Sequence, residues 1–200
     1  MKLKSHISIA NTVADLLEAQ MDIKIDRDSM ELGAVYPDMH FIRRLKIHNL
    51  NQVYTNYYAQ SNNFINKTNK LSLSFSLGML SHYICDTFCI AHNKKMRSYK
   101  DFKGHVAYEL QLSKAIEDHK VDVGIEEKIR LNSDKVLGFD LESFLTETKD
   151  EYLKMSEEAE DTLQCNLDIE YSIMVNVIVM MGFIYELQEA QCPVIETIAI

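Results

Sequence analysis

Three residues that can bind a metal ion lie within one short, largely apolar stretch, SHYICDTFCIAH at 81–92. They are His82, Asp86 and His92. Residues four apart project from the same face of a helix. The spacing therefore predicts that His82 and Asp86 offer an imidazole and a carboxylate to one point, which is the kind of ligand pair that a divalent metal requires.

A second stretch, GHVAYE at 104–109, repeats the same four-residue step with His105 and Glu109. His92 follows His82 by ten residues, which at about 100° per residue corresponds to a rotation of about 280° on a continuous helix. His92 should then point to a different side from His82. We therefore expect His92 to join His105 and Glu109, so that two adjacent metal sites form.

The setting of Asp86 favours a metal over an ordinary helix-surface pair. No Lys or Arg occurs between Lys70 and Lys94, and the segment between them is mostly apolar. An ionised carboxylate in such surroundings is costly unless it has a positive partner. That partner must come from elsewhere in the fold, and a metal ion or a distant arginine would each satisfy it.

Long helices should position these residues. The chain has only six Gly and two Pro, so the strongest helix breakers are scarce. Convincing period-two alternation is absent, and the sequence predicts an all-α, single-domain multi-helix bundle over residues 1–200. We expect a break at LGAVYPDM (32–39) and a loop at 94–103. The predicted helices are 5–20, 38–62, 71–92, 104–120, 124–131, 140–163 and 168–190.

The net charge of −9 excludes a general electrostatic attraction to nucleic acid or anionic membranes. Bound divalent cations would reverse the sign locally for a phosphate substrate. The apolar run at 171–185 is shorter than the roughly 20 residues of a membrane span, so we expect a buried helix and no transmembrane segment. The N-terminus lacks the pattern of a signal peptide, which predicts a cytoplasmic protein.

In the order and type of these residues, the chain resembles the zinc-dependent phospholipase C family, whose all-α fold is shared with fungal single-strand-specific nucleases. The series His-x-x-x-Asp, His, His-x-x-x-Glu is the specific part of the resemblance, which covers about half of the chain. The matching elements are His6, GAVYPDM at 33–39, His48, GMLSHYICD at 78–86, His92 and HVAYE at 105–109.

The resemblance implies a role for each of these residues. The first zinc ion would be held by Asp38, His48, His82 and Asp86, and the second by His92, His105 and Glu109. His6 would join a third zinc ion, with Asp86 bridging to the first. Asp38 also matches the family's proposed general base. The implied reaction is phosphoester hydrolysis by zinc-activated water, on a small phosphoester or a phospholipid head group, with transient contact with a membrane surface and no specific nucleic acid.

Several features depart from the family. The secreted phospholipases bind the third zinc ion through an N-terminal Trp, whereas this chain has no Trp, and it has Ile90 where a Pro is usual. An additional lipid-binding β-domain is also missing. The alternative from another class is therefore a non-catalytic relative that keeps zinc for stability and acts as a binding module. An HD-type phosphohydrolase would need an adjacent His-Asp pair, and a ferritin-like di-iron protein a repeated ExxH; neither occurs.

Overall fold

A computed structural model of the protein describes residues 1–39, 49–68, 70–93, 99–118, 123–133 and 140–190. All regular secondary structure within these ranges is helical, which confirms the all-α prediction. The helices are α1 (Leu3–Gln20), α2 (Arg27–Met39), α3 (Leu50–Ile65), α4 (Leu73–Thr87), α5 (Ile90–Asn93), α6 (Tyr99–Asp118), α7 (Val123–Ser133), α8 (Leu141–Glu158) and α9 (Asp161–Glu189).

The core of the bundle lies around α9, which contacts α1, α3, α4 and α6 to α8. In the described part of the chain, one stretch, Leu163–Glu189, is long and apolar enough to cross a membrane, and its apolar window is 89% buried inside the protein. A helix that is apolar on all sides and covered by its neighbours belongs to a protein core. This agrees with the buried helix that the sequence predicts at 171–185.

The predicted break at 32–39 is wrong, because this segment lies inside α2 and Pro37 occupies its last turn. Gly33 serves helix packing instead of a turn. A Cβ atom placed on Gly33 would overlap the backbone oxygen of Phe75 on α4, and one placed on Gly78 would overlap the backbone oxygen of Met30 on α2. The two glycines therefore let α2 and α4 cross at backbone contact.

The segment 71–92 is helical as predicted but not continuous. Ser72 caps the start of α4 by accepting a hydrogen bond from the backbone N–H of Phe75 at 3.1 Å. The helix ends at Thr87 and α5 begins only at Ile90. This interruption places Asp86 and His92 on different elements. The predicted loop at 94–103 is also too long, because α6 already begins at Tyr99.

Candidate metal centre

The first group of ligand-type residues consists of His6 on α1 and of His82 and Asp86 on α4, all fully buried. Nε2 of His6 lies 3.4 Å from Oδ1 of Asp86, and Nε2 of His82 lies 3.5 Å from Oδ2 of the same carboxylate. The two imidazole rings stack with their centroids 4.1 Å apart. One nitrogen or oxygen atom of each residue lies within 4.8 Å of the others, so all three can reach one metal ion.

A backbone hydrogen bond on the side away from Asp86 fixes the orientation of the His82 ring. Its Nδ1 lies 2.8 Å from the carbonyl oxygen of Ala34. Because a carbonyl oxygen only accepts, Nδ1 carries the hydrogen, and in the neutral ring Nε2 presents its lone pair to the group. Metal-binding histidines are commonly held in this way. The Ala34 carbonyl is within reach because Gly33 and Gly78 allow α2 and α4 to approach so closely.

The surroundings of the His6 ring indicate whether the first group fits a metal ion. Its side chain is completely buried, and neither ring nitrogen has a hydrogen-bond partner within the described parts of the chain. Burial lowers the pKa of His6, so the ring is neutral and can donate a lone pair. Unpartnered buried polar groups are costly and rare in folded proteins. A metal ion bound at Nε2 of His6, which faces Asp86, would satisfy that nitrogen, so the residues fit such an ion.

The second group consists of His92 on α5 and of His105 and Glu109 on α6. Oε1 of Glu109 lies 3.2 Å from Nε2 of His92 and 3.3 Å from Nε2 of His105. Nδ1 of His105 lies 3.2 Å from the carbonyl oxygen of Ala91, so this ring also has its outer nitrogen on a backbone acceptor. The second group therefore repeats the arrangement seen at His82, with Nε2 facing the other ligands.

The terminal amine of Met1 lies where the two groups meet. Its nitrogen is 2.5 Å from Oδ1 of Asp86, 2.7 Å from Nε2 of His92 and 3.2 Å from Oε1 of Glu109. Burial opposes the charge on this amine, but the carboxylates of Asp86 and Glu109 outweigh it and raise the pKa of the amine to about 11. The junction of the two groups therefore stabilises a positive charge strongly.

The carboxylate of Glu109 stays ionised in this setting. Burial opposes its charge, but hydrogen bonding to His92 and electrostatic attraction to the Met1 amine and to the His105 ring lower the pKa of Glu109 to about 2. The two groups also touch each other, since Oδ1 of Asp86 lies 3.5 Å from Nε2 of His92. Asp86 thus faces the imidazoles of both groups.

The remaining predicted site residues lie differently. Asp38, in the last turn of α2, has Oδ1 3.8 Å from Nε2 of His82, and its side chain is 28% exposed. It lies beside the first group on the side that solvent reaches. His48 lies outside the described residues. The structure therefore brings six of the eight predicted residues into the two groups and places Asp38 next to the first. His6, which was expected at a third zinc ion, lies with His82 and Asp86 in the first group.

Two polar contacts of the centre were missed by the sequence analysis. They are the carbonyl groups of Ala34 and Ala91. Backbone groups carry no signature in a sequence. The one available signal was Gly33 beside Ala34, which was interpreted as a chain break and not as the mark of a close helix crossing.

Comparison with protein-family models gives a match to the zinc-dependent phospholipase C family over residues 5–159. The matched segment covers more than three quarters of the chain and includes both groups. The chain belongs to the zinc-dependent phospholipase C family. Searches of curated proteins and of solved structures give no match.

Membership of this family makes zinc the cofactor and places the chain among hydrolases with an all-α fold. The ligand atoms suit that metal, because zinc prefers imidazole nitrogen and carboxylate oxygen. Each group offers at least three such ligands to one zinc ion. The family match thus confirms the resemblance to the zinc-dependent phospholipase C family that the order of the motifs indicated.

Proposed function

We propose that this protein is a zinc-dependent phosphodiesterase of the phospholipase C type. The observation that supports this proposal most strongly is the junction of the first and second groups. There, the carboxylate of Asp86 faces imidazoles of both groups, and its Oδ1 contacts the protonated terminal amine of Met1 at 2.5 Å. Two divalent ions bound by the two groups would together bind the negatively charged oxygens of a phosphodiester, which an acidic protein otherwise repels.

The proposal assigns three described ligands to each of two zinc ions. His6, His82 and Asp86 would hold one zinc ion, and His92, His105 and Glu109 would hold the other. His48 would complete the first set, as the family pattern implies. Asp38, which that pattern also gives as a ligand of the first zinc ion, lies outside the group of three and is partly exposed, so we assign it to the base. Bound zinc supplies positive charge beside the phosphoryl oxygens and lowers the pKa of a neighbouring water molecule to near neutrality.

Asp38 is the proposed general base. Its carboxylate lies 3.8 Å from Nε2 of His82 and is partly exposed, so it can meet both the centre and an incoming water molecule. In the proposed reaction the water oxygen attacks phosphorus and its proton passes to Asp38. The P–O bond to the lipid breaks, and the departing oxygen takes a proton from Asp38 or from water and leaves as an alcohol. General acid–base groups of this kind typically contribute about 10²- to 10⁴-fold to the rate.

A phospholipid head group is the proposed substrate, and two exposed apolar side chains support it. Met39 follows Asp38 directly and is 66% exposed, and Phe102 precedes His105 by one helical turn and is 53% exposed. Each therefore offers apolar surface close to a residue of the centre. Such side chains suit the hydrocarbon part of a lipid, with which the protein would make transient contact at a membrane surface.

The proposal is tested by measuring zinc content and the hydrolysis of a soluble nitrophenyl phosphodiester on the same sample. We expect at least two zinc ions per chain and turnover. Asp38→Asn should lower kcat by about 10²-fold or more and leave the zinc content unchanged. Asp28→Asn, an exposed change on the same helix, is the matched control.

Two outcomes would contradict parts of this proposal. Tightly bound zinc with no turnover on soluble or lipid phosphodiesters would favour the non-catalytic alternative, in which zinc stabilises a binding module. An unchanged kcat in Asp38→Asn would remove Asp38 from the role of base while leaving the metal centre intact.

A further inference from the structure

A second buried carboxylate, Asp168 on α9, lies outside the segment that the family model matches. Its side chain is fully buried, and it accepts four hydrogen bonds. The donors are the backbone N–H of Ile90 at 3.0 Å, the Tyr108 hydroxyl at 2.8 Å, the Tyr152 hydroxyl at 2.7 Å and Nε2 of Gln164 at 2.6 Å. A carboxylate with this many donors is held in one orientation.

Two of these donors belong to the elements that carry the second group. Oδ2 of Asp168 accepts from Ile90, the first residue of α5, and from Tyr108. His92 lies on α5, two residues after Ile90, and Glu109 follows Tyr108 on α6. One oxygen atom therefore connects the backbone before His92 with the side chain before Glu109.

The other end of the helix interruption is held by Lys149 on α8. Its buried ammonium group donates a hydrogen bond to the carbonyl oxygen of Thr87, the residue after Asp86. The same group lies 4.6 Å from the ring centroid of Tyr152, whose hydroxyl bonds Asp168. The short connection between Asp86 and His92 is thus fixed at both ends by one buried network.

We propose that Asp168 is a positioning residue that sets the distance between Asp86 and the second group by clamping the start of α5 to α6. This inference rests on the proposed function, because it assumes that both groups hold zinc. Asp168 acts through Ile90 and Tyr108 and touches no ligand atom itself. Residues that orient metal ligands from outside typically change metal affinity about 10- to 100-fold when they are replaced.

The test measures the affinity of each zinc ion by competition with a chelator of known strength. Asp168→Asn removes the negative charge that all four donors face, and it turns an amide nitrogen toward one pair of them, either Ile90 and Tyr108 or Tyr152 and Gln164. Tyr108→Phe removes only one hydroxyl group. We expect both variants to weaken the second zinc ion by about tenfold or more, with the first unchanged. A Glu109→Gln sample identifies which affinity belongs to the second group.

Tyr171→Phe is the matched control. It also removes one partly buried hydroxyl between α8 and α9, where Tyr171 donates to Glu151 at 2.7 Å, but it keeps the ring that stacks on Phe88 in the helix interruption. We expect wild-type affinity for both zinc ions, even if the free energy of unfolding falls as much as in Tyr108→Phe. This separates positioning from general destabilisation.

The outcomes are distinct. If the wild-type protein binds two zinc ions and Tyr108→Phe binds both with unchanged affinity, the inference about Asp168 is wrong while the proposed function stands. An equal loss in Tyr171→Phe would also overturn it. A wild-type protein that binds no zinc would overturn both proposals. If Asp168→Asn does not fold, Tyr108→Phe carries the test alone.

Discussion

The first and second groups use the same ligand chemistry in different surroundings. In the first, the side chains of His6, His82 and Asp86 are at most 2% exposed, whereas His92, His105 and Glu109 are 14–22% exposed. The first group is built into the crossing of core helices. The second depends on a four-residue helix and on a helix that begins after it. The comparison indicates that the first group is part of the core, so that a metal ion there would also stabilise the fold, and that the second group is more accessible to solvent.

Asp86→Asn should have the largest effect, because Asp86 belongs to the first group and also faces His92. The amide of Asn keeps the shape of the carboxylate but removes the negative charge that faces His6 and His82 in the first group and His92 in the second. We expect zinc to be lost from both groups and the free energy of unfolding to fall by about 3 kcal/mol or more. Zinc analysis and urea denaturation measure the two effects. Loss of zinc from the first group alone would show that the groups are independent of each other.

Gly78→Ala should affect the first group through the fold. The added methyl group would overlap the backbone oxygen of Met30 and push α2 away from α4, which removes the Ala34 carbonyl from His82. Overpacking of this kind costs about 1–3 kcal/mol, and more where backbone must move. Urea denaturation and the affinity of the first zinc ion should both report the change.

Gly104→Ala is the control for that substitution. Gly104 lies within α6 beside His105, and a Cβ atom there would meet no other atom within 4 Å. Since Gly in a helix costs about 0.5–1 kcal/mol relative to Ala, this variant should be slightly more stable than the wild type. Equal behaviour of the two variants would show that the α2–α4 crossing does not support the first group.

The sequence predicted the helical class and the pairing within each group because both follow from local spacing. The four-residue steps in 82–86 and 105–109 lie on single helices, so helix geometry alone brings the pairs together. The separate position of His92 was also expected, although for an incomplete reason. The direction of the His92 side chain was derived for a continuous helix, whereas the helix ends at Thr87 and a new one begins at Ile90.

The contacts that depend on tertiary structure could not be predicted. The Asp168 network joins residues 60 and 78 positions apart, and no local pattern relates them. Lys149 lies in the predicted helix 140–163, and nothing in the local sequence indicates that its ammonium group is buried against Phe88 and Tyr152. Gly33 shows the same limit, because a glycine needed for close packing and one needed for a turn look identical in a sequence.

Glu109→Gln should separate the two groups kinetically. In the wild type we expect two phases of zinc release to an excess of chelator, with the more exposed second group releasing first. The variant loses the charge that faces His92 and His105, so only the slow phase should remain. Glu117→Gln, an exposed change on the same helix, should behave as the wild type. Loss of both phases in Glu109→Gln would indicate one shared cluster.

The smallest expected effect concerns the surfaces beside the two groups. Phe102→Ser should lower hydrolysis of phospholipid micelles by a few-fold to about tenfold, because partial burial of a Phe side chain contributes about 0.7–1.4 kcal/mol, and it should leave the soluble phosphodiester unaffected. Leu163→Ser, an exposed change on α9, is the control. Met39→Ser, measured on the same micelles, tests the exposed apolar side chain beside Asp38. An effect of Phe102 alone would show that lipid approaches over the second group, whereas equal rates on micelles for all three variants would show that these apolar side chains do not meet lipid.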